Sequence, residues 1–568
     1  MPIRTVAQGI RCQRITEHLA RRKAGSERKR KQTLSQPAPS PTPGPEKPVL
    51  LDRFLQTASD APSAPALHWD GGTATYSQLS CQAFRVANCL KRCGFAGNST
   101  CVLLTGSGPV SYAGLLGILL AGGCYVPTGE HWPPRRNLSV IRQSKARFCI
   151  LDPALLPVYR DLLPELEDMC IITGAGFSEK EPGDQPLNSS CSWLSCAACP
   201  GDRLEFTPSR SGNDYFYLLF TSGSTGTPKG VGITGNAVEA YFSCLAELAP
   251  VSQGERFIQL HSLTFDVAEH AMWRSLSSGG CLYLTGEDVR FMPGAFIRRH
   301  RITEMMAVPA TGSMMLRMRV LRPGAFPDLR RIFFCGEALP AATAAAFCSA
   351  LPEAMVCNLY GPTEVTIACL FYLVTKEKLA KDAINSYTPI GRPLPSTRIR
   401  VADSSLAPVR NGETGELLLA GSQLAPGYWD DPDKTAAAFV TADDGCVWYR
   451  TGDLVRSTGC GLCYLGRRDT MLKIRGHRVE LAEVESALAK AVPSPFAVAV
   501  PRMRAGEVTG IGIFVPADCK VTDEEIIRQM GLTLPPYMLP DTIRRLESFP
   551  LNANGKIDRG RLRDMLTS

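Results

Sequence analysis

The stretch from Tyr217 to Gly230 limits the fold more than any other part of this 568-residue chain. Four large apolar residues, Tyr217 to Phe220, run directly into Thr221, Ser222, Gly223, Ser224, Thr225, Gly226 and Thr227, and the segment closes on Pro228, Lys229 and Gly230. A continuous apolar run followed by turn residues reads as a strand buried on both faces. Glycines then let backbone N–H groups approach a phosphate, hydroxyls add donors, and a lysine adds positive charge. The GxxxxGK[ST] spacing of a Walker A loop is absent, as is the GxSxG of a nucleophile elbow. Thr221, Ser222, Gly223, Ser224, Thr225, Gly226 and Lys229 are therefore candidate phosphate ligands, with Thr225 and Lys229 also candidates for the chemistry.

From Val49 onward, short apolar runs alternate with amphipathic stretches. Cys101–Leu104, Phe148–Leu151 and Cys281–Leu284 read as strands and Gln78–Arg92 as a helix. This alternation predicts an α/β fold with mostly buried sheets. Residues 174–213, rich in Gly, Ser, Pro, Asp and Cys, read as a long surface loop. A second compact unit is expected near Gly466, after the turn-rich Ser457–Cys463. The predicted division is a basic, proline-rich disordered arm over 1–48, a large domain over 49–465, and a small C-terminal α+β domain over 466–568.

The net charge of +8 belongs to the arm: residues 1–50 hold 11 Lys/Arg and 3 Asp/Glu, and the rest of the chain holds 51 of each sign. A neutral body gives no basic face for nucleic acid. The arm also admits an organelle transit segment or a nuclear signal around Arg28–Lys31. No run reaches about 18 apolar residues, so no membrane insertion is expected. The 21 cysteines, without a signal peptide, predict a reducing, cytoplasmic setting. Two CxxC pairs, Cys196/Cys199 and Cys460/Cys463, could together offer four zinc ligands, though their separation is far from zinc-ribbon spacing.

The glycine- and hydroxyl-rich loop resembles the phosphate loop of adenylate-forming enzymes: acyl-CoA synthetases, luciferases and amino-acid adenylation domains. Further segments resemble that family in its order, over about 500 residues. Thr75–Leu79 and Leu120–Pro127 precede the loop. Phe265-Asp266, Asn358 to Glu364, Gly415–Leu417, Tyr449–Asp453, Gly466–Asp469, Lys473–Leu481, Leu534–Pro540 and Asn554–Arg559 follow it. The resemblance implies ATP and Mg²⁺ as cofactors. It places adenine on Tyr360 and Asn358 beside Gly361, because a flat base needs a π-face and a polar edge. It gives the ribose hydroxyls to Asp453, the α-phosphate to Thr363, the ribose–phosphate region to Arg467, and the metal to Glu364, a hard ligand for a hard cation. Lys556 would sit between the attacking carboxylate and the α-phosphate, lowering the repulsion of two anions. Asp469 matches the family's hinge position; Met471 departs from the glutamine often found there.

In the amino-acid-activating branch, the position of Asp266 pairs with the substrate ammonium, which needs a counter-charge when buried. The pocket positions of that branch fall on Val267, His270, Ala307, Phe333, Cys335, Leu359, Ile367 and Ala368. Apart from His270 these are apolar, which suits a small or medium apolar amino acid. Phe334 to Glu337, followed by Leu339-Pro340, resembles the D-alanine–carrier protein ligases. The chain is therefore expected to adenylate an amino acid, D-alanine foremost, and to load a separate phosphopantetheinylated carrier protein, since no carrier or condensation motif occurs. The competing readings are an acyl- or aryl-CoA ligase and a non-catalytic adenylate-binding protein.

Overall fold

The computed structural model describes residues 49–166, 168–175, 192–223, 228–442, 445–468, 471–492, 494, 496–504, 507–550 and 557–566. The expected arm over 1–48, and with it the Arg28–Lys31 segment, lies outside them. The architecture is mixed α/β, with a seven-stranded, a nine-stranded and a five-stranded sheet up to Arg467 and smaller sheets after it.

The seven-stranded sheet runs Ser192–Ser195, Cys170–Thr173, Phe148–Leu151, Thr100–Leu104, Cys124–Pro127, Tyr215–Thr221 and Lys229–Thr234. All neighbours are parallel except the last pair. The candidate phosphate loop thus joins two antiparallel strands, with Thr221 opposite Lys229. The apolar run predicted as a doubly buried strand is buried throughout Phe216–Phe220. One expectation fails: residues 174–213 are not purely loop, because Ser192–Ser195 pairs as an edge strand with Cys170–Thr173. Its alternate, half-exposed burial leaves no apolar run to announce it.

The nine-stranded sheet has a parallel centre: Met355–Tyr360, Arg331–Phe334, Glu304–Ala307, Arg256–Gln259, Cys281–Leu284 and Pro65–Trp69. Antiparallel strands close both edges. Parallel strands buried on both faces read as continuous apolar runs, and Ile332-Phe333-Phe334 is fully buried. The expected Gln78–Arg92 helix begins at Tyr76, because Thr75 forms a capping box with Gln78. The apolar stretch starting at Tyr112 lies mostly in a short buried helix, Pro109–Leu120. Among the described residues no helix is long and apolar enough to cross a membrane.

A five-stranded sheet over Thr397–Arg467 follows. Beyond it, the hairpin Met471–Ile474/His477–Glu480 leads into the helix Leu481–Ala491 and a three-stranded sheet, Val498–Arg504, Glu507–Pro516 and Thr542–Leu546. This last part has its own core around Val479, Val484, Leu488, Ile511, Ile513 and Met530.

Candidate active site

The C-terminal ends of the central parallel strands border a cleft of about 520 Å³, counted with the solvent at its mouth. Such strand ends are where open α/β sheets place ligands. Asp266, Val267 and Phe265 come from the loop and helix after Arg256–Gln259, and Cys335 and Gly336 from the turn after Arg331–Phe334. Gly361 to Thr363 follow Met355–Tyr360, and Asp453 and Arg467 come from the five-stranded sheet. Gly361 has to be glycine: a Cβ there would lie 2.5 Å from Ala368 Cα and 2.7 Å from the Ile367 carbonyl. The hairpin after Met471 enters the same cleft with Lys473, Gly476 and Arg478.

Asp266 stands at the N-cap of the helix Val267–Leu276 without capping it. It is buried, its Oδ2 has no hydrogen-bond partner, and burial pushes its carboxyl up to about 7 despite help from the Thr363 hydroxyl. Cys335, also buried, keeps an inert thiol, pushed up to about 12 by burial and then by Asp266. Of the other residues assigned to the substrate pocket, Val267 and Cys335 border the cleft. Ala307, Phe333, Leu359, Ile367, Ala368 and His270 are buried in the surrounding core and do not form its wall. His270 packs on Phe333 with ring centroids 4.8 Å apart. Its Nδ1 lies 2.7 Å from the Tyr241 hydroxyl and its Nε2 3.3 Å from Glu304. Burial holds its imidazole below the ordinary value, against the pull of Glu304. Glu304 is tied in turn to Arg274 at 2.5 Å and Arg331 at 2.5 Å.

Asp453 binds the Tyr360 hydroxyl and, at 2.5 Å, Arg467 Nη1. Asn358 is buried; its amide donates to the Pro389 carbonyl at 2.9 Å while its Oδ1 has no partner. Of the phosphate loop, Thr221, Ser222 and Gly223 are described. Thr221 Oγ1 is buried and unpartnered, and Ser222 Oγ donates to the Arg478 carbonyl at 2.8 Å. Ser224, Thr225 and Gly226, like Lys556 and Asp469, lie outside the described residues. Lys229 Nζ meets Glu364 at 3.2 Å and the Tyr428 hydroxyl at 2.9 Å. Burial, then Arg478, lowers its ammonium to about 8.

The resemblance gives Glu364 to a metal. Here its buried carboxylate is shared by Lys229, by Arg478 Nη1 at 3.1 and 3.3 Å, and by the Tyr428 hydroxyl at 2.8 Å. Burial would raise its carboxyl, but Arg478 and Lys229 hold it far below the usual range. A divalent ion does not fit beside two cations on one carboxylate. The two CxxC pairs lie apart: Cys196 and Cys199 sit against Cys89, while Cys460 and Cys463 flank Thr458. Among the described residues no cluster of three or more His, Cys, Asp or Glu could hold a metal.

Gln423 has no sequence signal, yet it braces the cleft from behind. Thr366 and Ile367 adopt φ of 51° and 65°, a left-handed conformation that branched residues avoid. The buried Gln423 amide donates to the carbonyls of Thr366 at 3.1 Å and Ala368 at 2.8 Å, and Thr366 Oγ1 donates back to the Gln423 carbonyl at 2.6 Å. Gln423→Ala is expected to lower stability by about 3 kcal/mol in urea unfolding, since it leaves buried carbonyls unpaired and releases strained backbone.

A family described as AMP-binding enzyme matches residues 54–429. The chain belongs to that family. It is an enzyme of the adenylate-forming ligase class. The D-alanine–D-alanyl carrier protein ligase of Bacillus licheniformis is 28% identical over 529 residues, 91% of this chain and 99% of that protein. Tyrocidine synthase 3 of Brevibacillus parabrevis is 31% identical over 517 residues; the match covers 89% of this chain but only 7% of that synthase. Among solved structures, the Vibrio cholerae adenylation domain AlmE in complex with glycyl-adenosine-5'-phosphate matches with a TM-score of 0.80 at 26% identity. That match covers 93% of this chain and all of AlmE. The family's architecture of a large N-terminal and a small C-terminal domain is the architecture found here.

Proposed function

We propose that the protein converts a small amino acid and ATP into an aminoacyl-adenylate and passes the aminoacyl group to the phosphopantetheine thiol of a carrier protein. The observation that carries this reading is Asp266, a buried carboxylate on the cleft wall with an unpartnered oxygen. A substrate ammonium supplies both the charge and the donor it lacks, whereas an unpaired buried charge costs several kcal/mol.

In the first step a carboxylate oxygen of the amino acid attacks the α-phosphorus and pyrophosphate leaves. Lys229 and Lys556 are the cations assigned to the accumulating negative charge, with Thr221, Ser222, Gly223, Ser224, Thr225 and Gly226 around the phosphates. Thr363 takes the α-phosphate. Tyr360, Asn358 and Gly361 take adenine; Asn358 Oδ1 is an unpartnered acceptor suited to the amino edge of the base. Asp453 and Arg467 take the ribose. The resemblance gives Glu364 to a divalent cation, but its carboxylate is held by Lys229 and Arg478, so no step is routed through a metal. In the second step the thiol sulfur attacks the adenylate carbonyl and AMP departs. The part from about 466 onward acts as the lid, with Asp469 as its hinge.

Several features favour a small side chain. Val267 and Cys335 border the cleft, and His270, packed on Phe333, is committed to Tyr241 and Glu304 rather than to a polar substrate. The names of the relatives point the same way, towards D-alanine first and glycine second. The described cysteines are all free thiols, which supports a reducing, cytoplasmic setting.

Amino-acid-dependent ATP–pyrophosphate exchange tests the reading, with L-amino acids, D-alanine, glycine, β-alanine, aryl acids and fatty acids as the panel and Lys556→Ala as the blank. Exchange with one or a few small amino acids is expected. Exchange only with acids lacking an amine would move the protein to the CoA ligases, and silence with nucleotide binding intact would make it non-catalytic.

A further inference from the structure

Asp453 and Arg467 pair across one β-hairpin, Val447–Thr458 with Gly461–Arg467. Its far end holds one of the two CxxC pairs, Cys460 and Cys463, for which adenylation has no use. Thr458 gathers the two sulfurs: its Oγ1 lies 3.0 Å from Cys460 Sγ and 3.8 Å from Cys463 Sγ. The Thr458 hydroxyl donates to the Gly461 carbonyl at 2.9 Å, so its one proton is committed and both thiols donate to it. The thiols are also within hydrogen-bonding reach of each other. They differ in access: Cys460 is partly exposed and Cys463 is buried. Burial, eased by Thr458, pushes the Cys463 thiol up to about 11. An accessible thiol poised beside a second one is the arrangement in which the first meets an oxidant and the second resolves it.

This end of the hairpin is wired to the nucleotide side of the cleft. Leu462, between the two cysteines, accepts from the N–H groups of Ile390 and Gly391, both at 3.0 Å, and donates to the Gly391 carbonyl at 2.6 Å. The two segments leave no room between them, since a Cβ on Gly461 would lie 2.2 Å from the Gly391 carbonyl oxygen. One residue earlier, the Pro389 carbonyl accepts from the Asn358 amide at 2.9 Å.

We propose that Cys460 and Cys463 are a reversible oxidation site, and that their disulfide weakens nucleotide binding through Asn358. The oxidant is a hydroperoxide. The Cys460 thiolate attacks its O–O bond, takes one oxygen as a sulfenic acid and releases water or an alcohol. The Cys463 thiol then attacks the Cys460 sulfur, and its proton leaves with the hydroxyl group as water. The two thiols lose two electrons and two protons, which end in the reduced peroxide; a dithiol reductant reverses the change. The new bond replaces both thiol hydrogen bonds to Thr458 and shifts Leu462 against residues 390–391, so Pro389 holds Asn358 less well. The link to the nucleotide rests on the reading of Asn358 as an adenine residue; the oxidation itself does not.

The test is to treat the reduced full chain with one equivalent of hydrogen peroxide, then alkylate and weigh the peptide 457–467, which contains these two cysteines and no other. The peptide should lose two hydrogens sooner than any other cysteine peptide is oxidised, and dithiothreitol should restore them. Cys463→Ser should stop at a sulfenic acid on Cys460 that dimedone traps. Oxidation should weaken ATP binding about fivefold, the low end of coupling between sites, and the double variant Cys460→Ser/Cys463→Ser should not respond. No disulfide in 457–467, or one that dithiothreitol does not undo, would overturn the proposal without recourse to any variant. A disulfide that leaves ATP affinity unchanged, or a weakening that the double variant shares, would overturn the link to Asn358. Failure of the reduced protein to bind ATP would instead overturn the reading of the cleft as a nucleotide site.

Discussion

Asp266→Ala should lower amino-acid-dependent pyrophosphate exchange by about a hundredfold to several thousandfold, the effect of about 3–5 kcal/mol from stripping a buried ammonium of its partner. Nucleotide binding without amino acid should be unaffected, because Asp266 is assigned no contact with ATP. The pH dependence separates this role from a structural one. Burial pushes the Asp266 carboxyl up to about 7, and only the ionised form attracts an ammonium. The value of kcat/KM for the amino acid should therefore fall about tenfold per pH unit below about 7, and that limb should vanish in Asp266→Asn. Stability should run the other way. The folded pKa lies above the unfolded value of 3.8, so the folded state holds the extra proton and loses stability as pH rises from about 4 through 7. At pH 8, Asp266→Asn should melt higher than the unmodified protein while being close to inactive. Calorimetry and exchange assays on the same preparations check both halves. A variant that is inactive and also melts lower would indicate that Asp266 is a structural aspartate.

What the sequence disclosed was local. The strand over Tyr217–Phe220, the helix over Gln78–Arg92 and the strands Cys101–Leu104, Phe148–Leu151 and Cys281–Leu284 are each specified by neighbours within a few residues, so periodicity reveals them. The segments carrying Asp266, Gly361, Thr363, Asp453 and Arg467 were legible as motifs, and the fold brings them to one cleft. Contacts that close over long stretches of chain were not legible. Arg478 meets Glu364 from 114 residues away and Arg136 meets Glu483 from 347 residues away. Gln423 reaches the carbonyl of Thr366 across 57 residues. A lone glutamine or arginine has no periodicity, and its partner is chosen by tertiary packing alone. The pocket assignment shows the same limit. His270, one turn along from Asp266, reads as a lining residue, but whether its ring faces substrate or Tyr241 and Glu304 is decided by strands that the helix packs against. Serine-rich Ser192–Ser195 becomes a strand only because Cys170–Thr173 offers it an edge.

Gly476→Ala should separate the two half-reactions. Gly476 turns the hairpin inside the cleft at φ +85°, and an added Cβ would lie 2.4 Å from Val308 Cγ1 and 3.5 Å from Phe265. A left-handed alanine costs about 1–2 kcal/mol, and forcing a methyl against a branched side chain costs about 1–3 kcal/mol more. The clash applies only while the hairpin is docked, where the Gly476 N–H donates to Glu337 at 2.6 Å; the left-handed penalty belongs to the turn itself, in which Arg475 also has a positive φ, and is present in either position. The docked population should fall by about thirtyfold, taking about 2 kcal/mol for the clash. If adenylation proceeds with the hairpin withdrawn, pyrophosphate exchange should stay within a few-fold of the unmodified protein, and single-turnover loading of a carrier thiol should slow by about the same thirtyfold. Glu337→Ala removes one acceptor without adding a clash, so it should shift loading in the same direction by much less. An equal fall in exchange and loading would mean that the docked hairpin serves both steps.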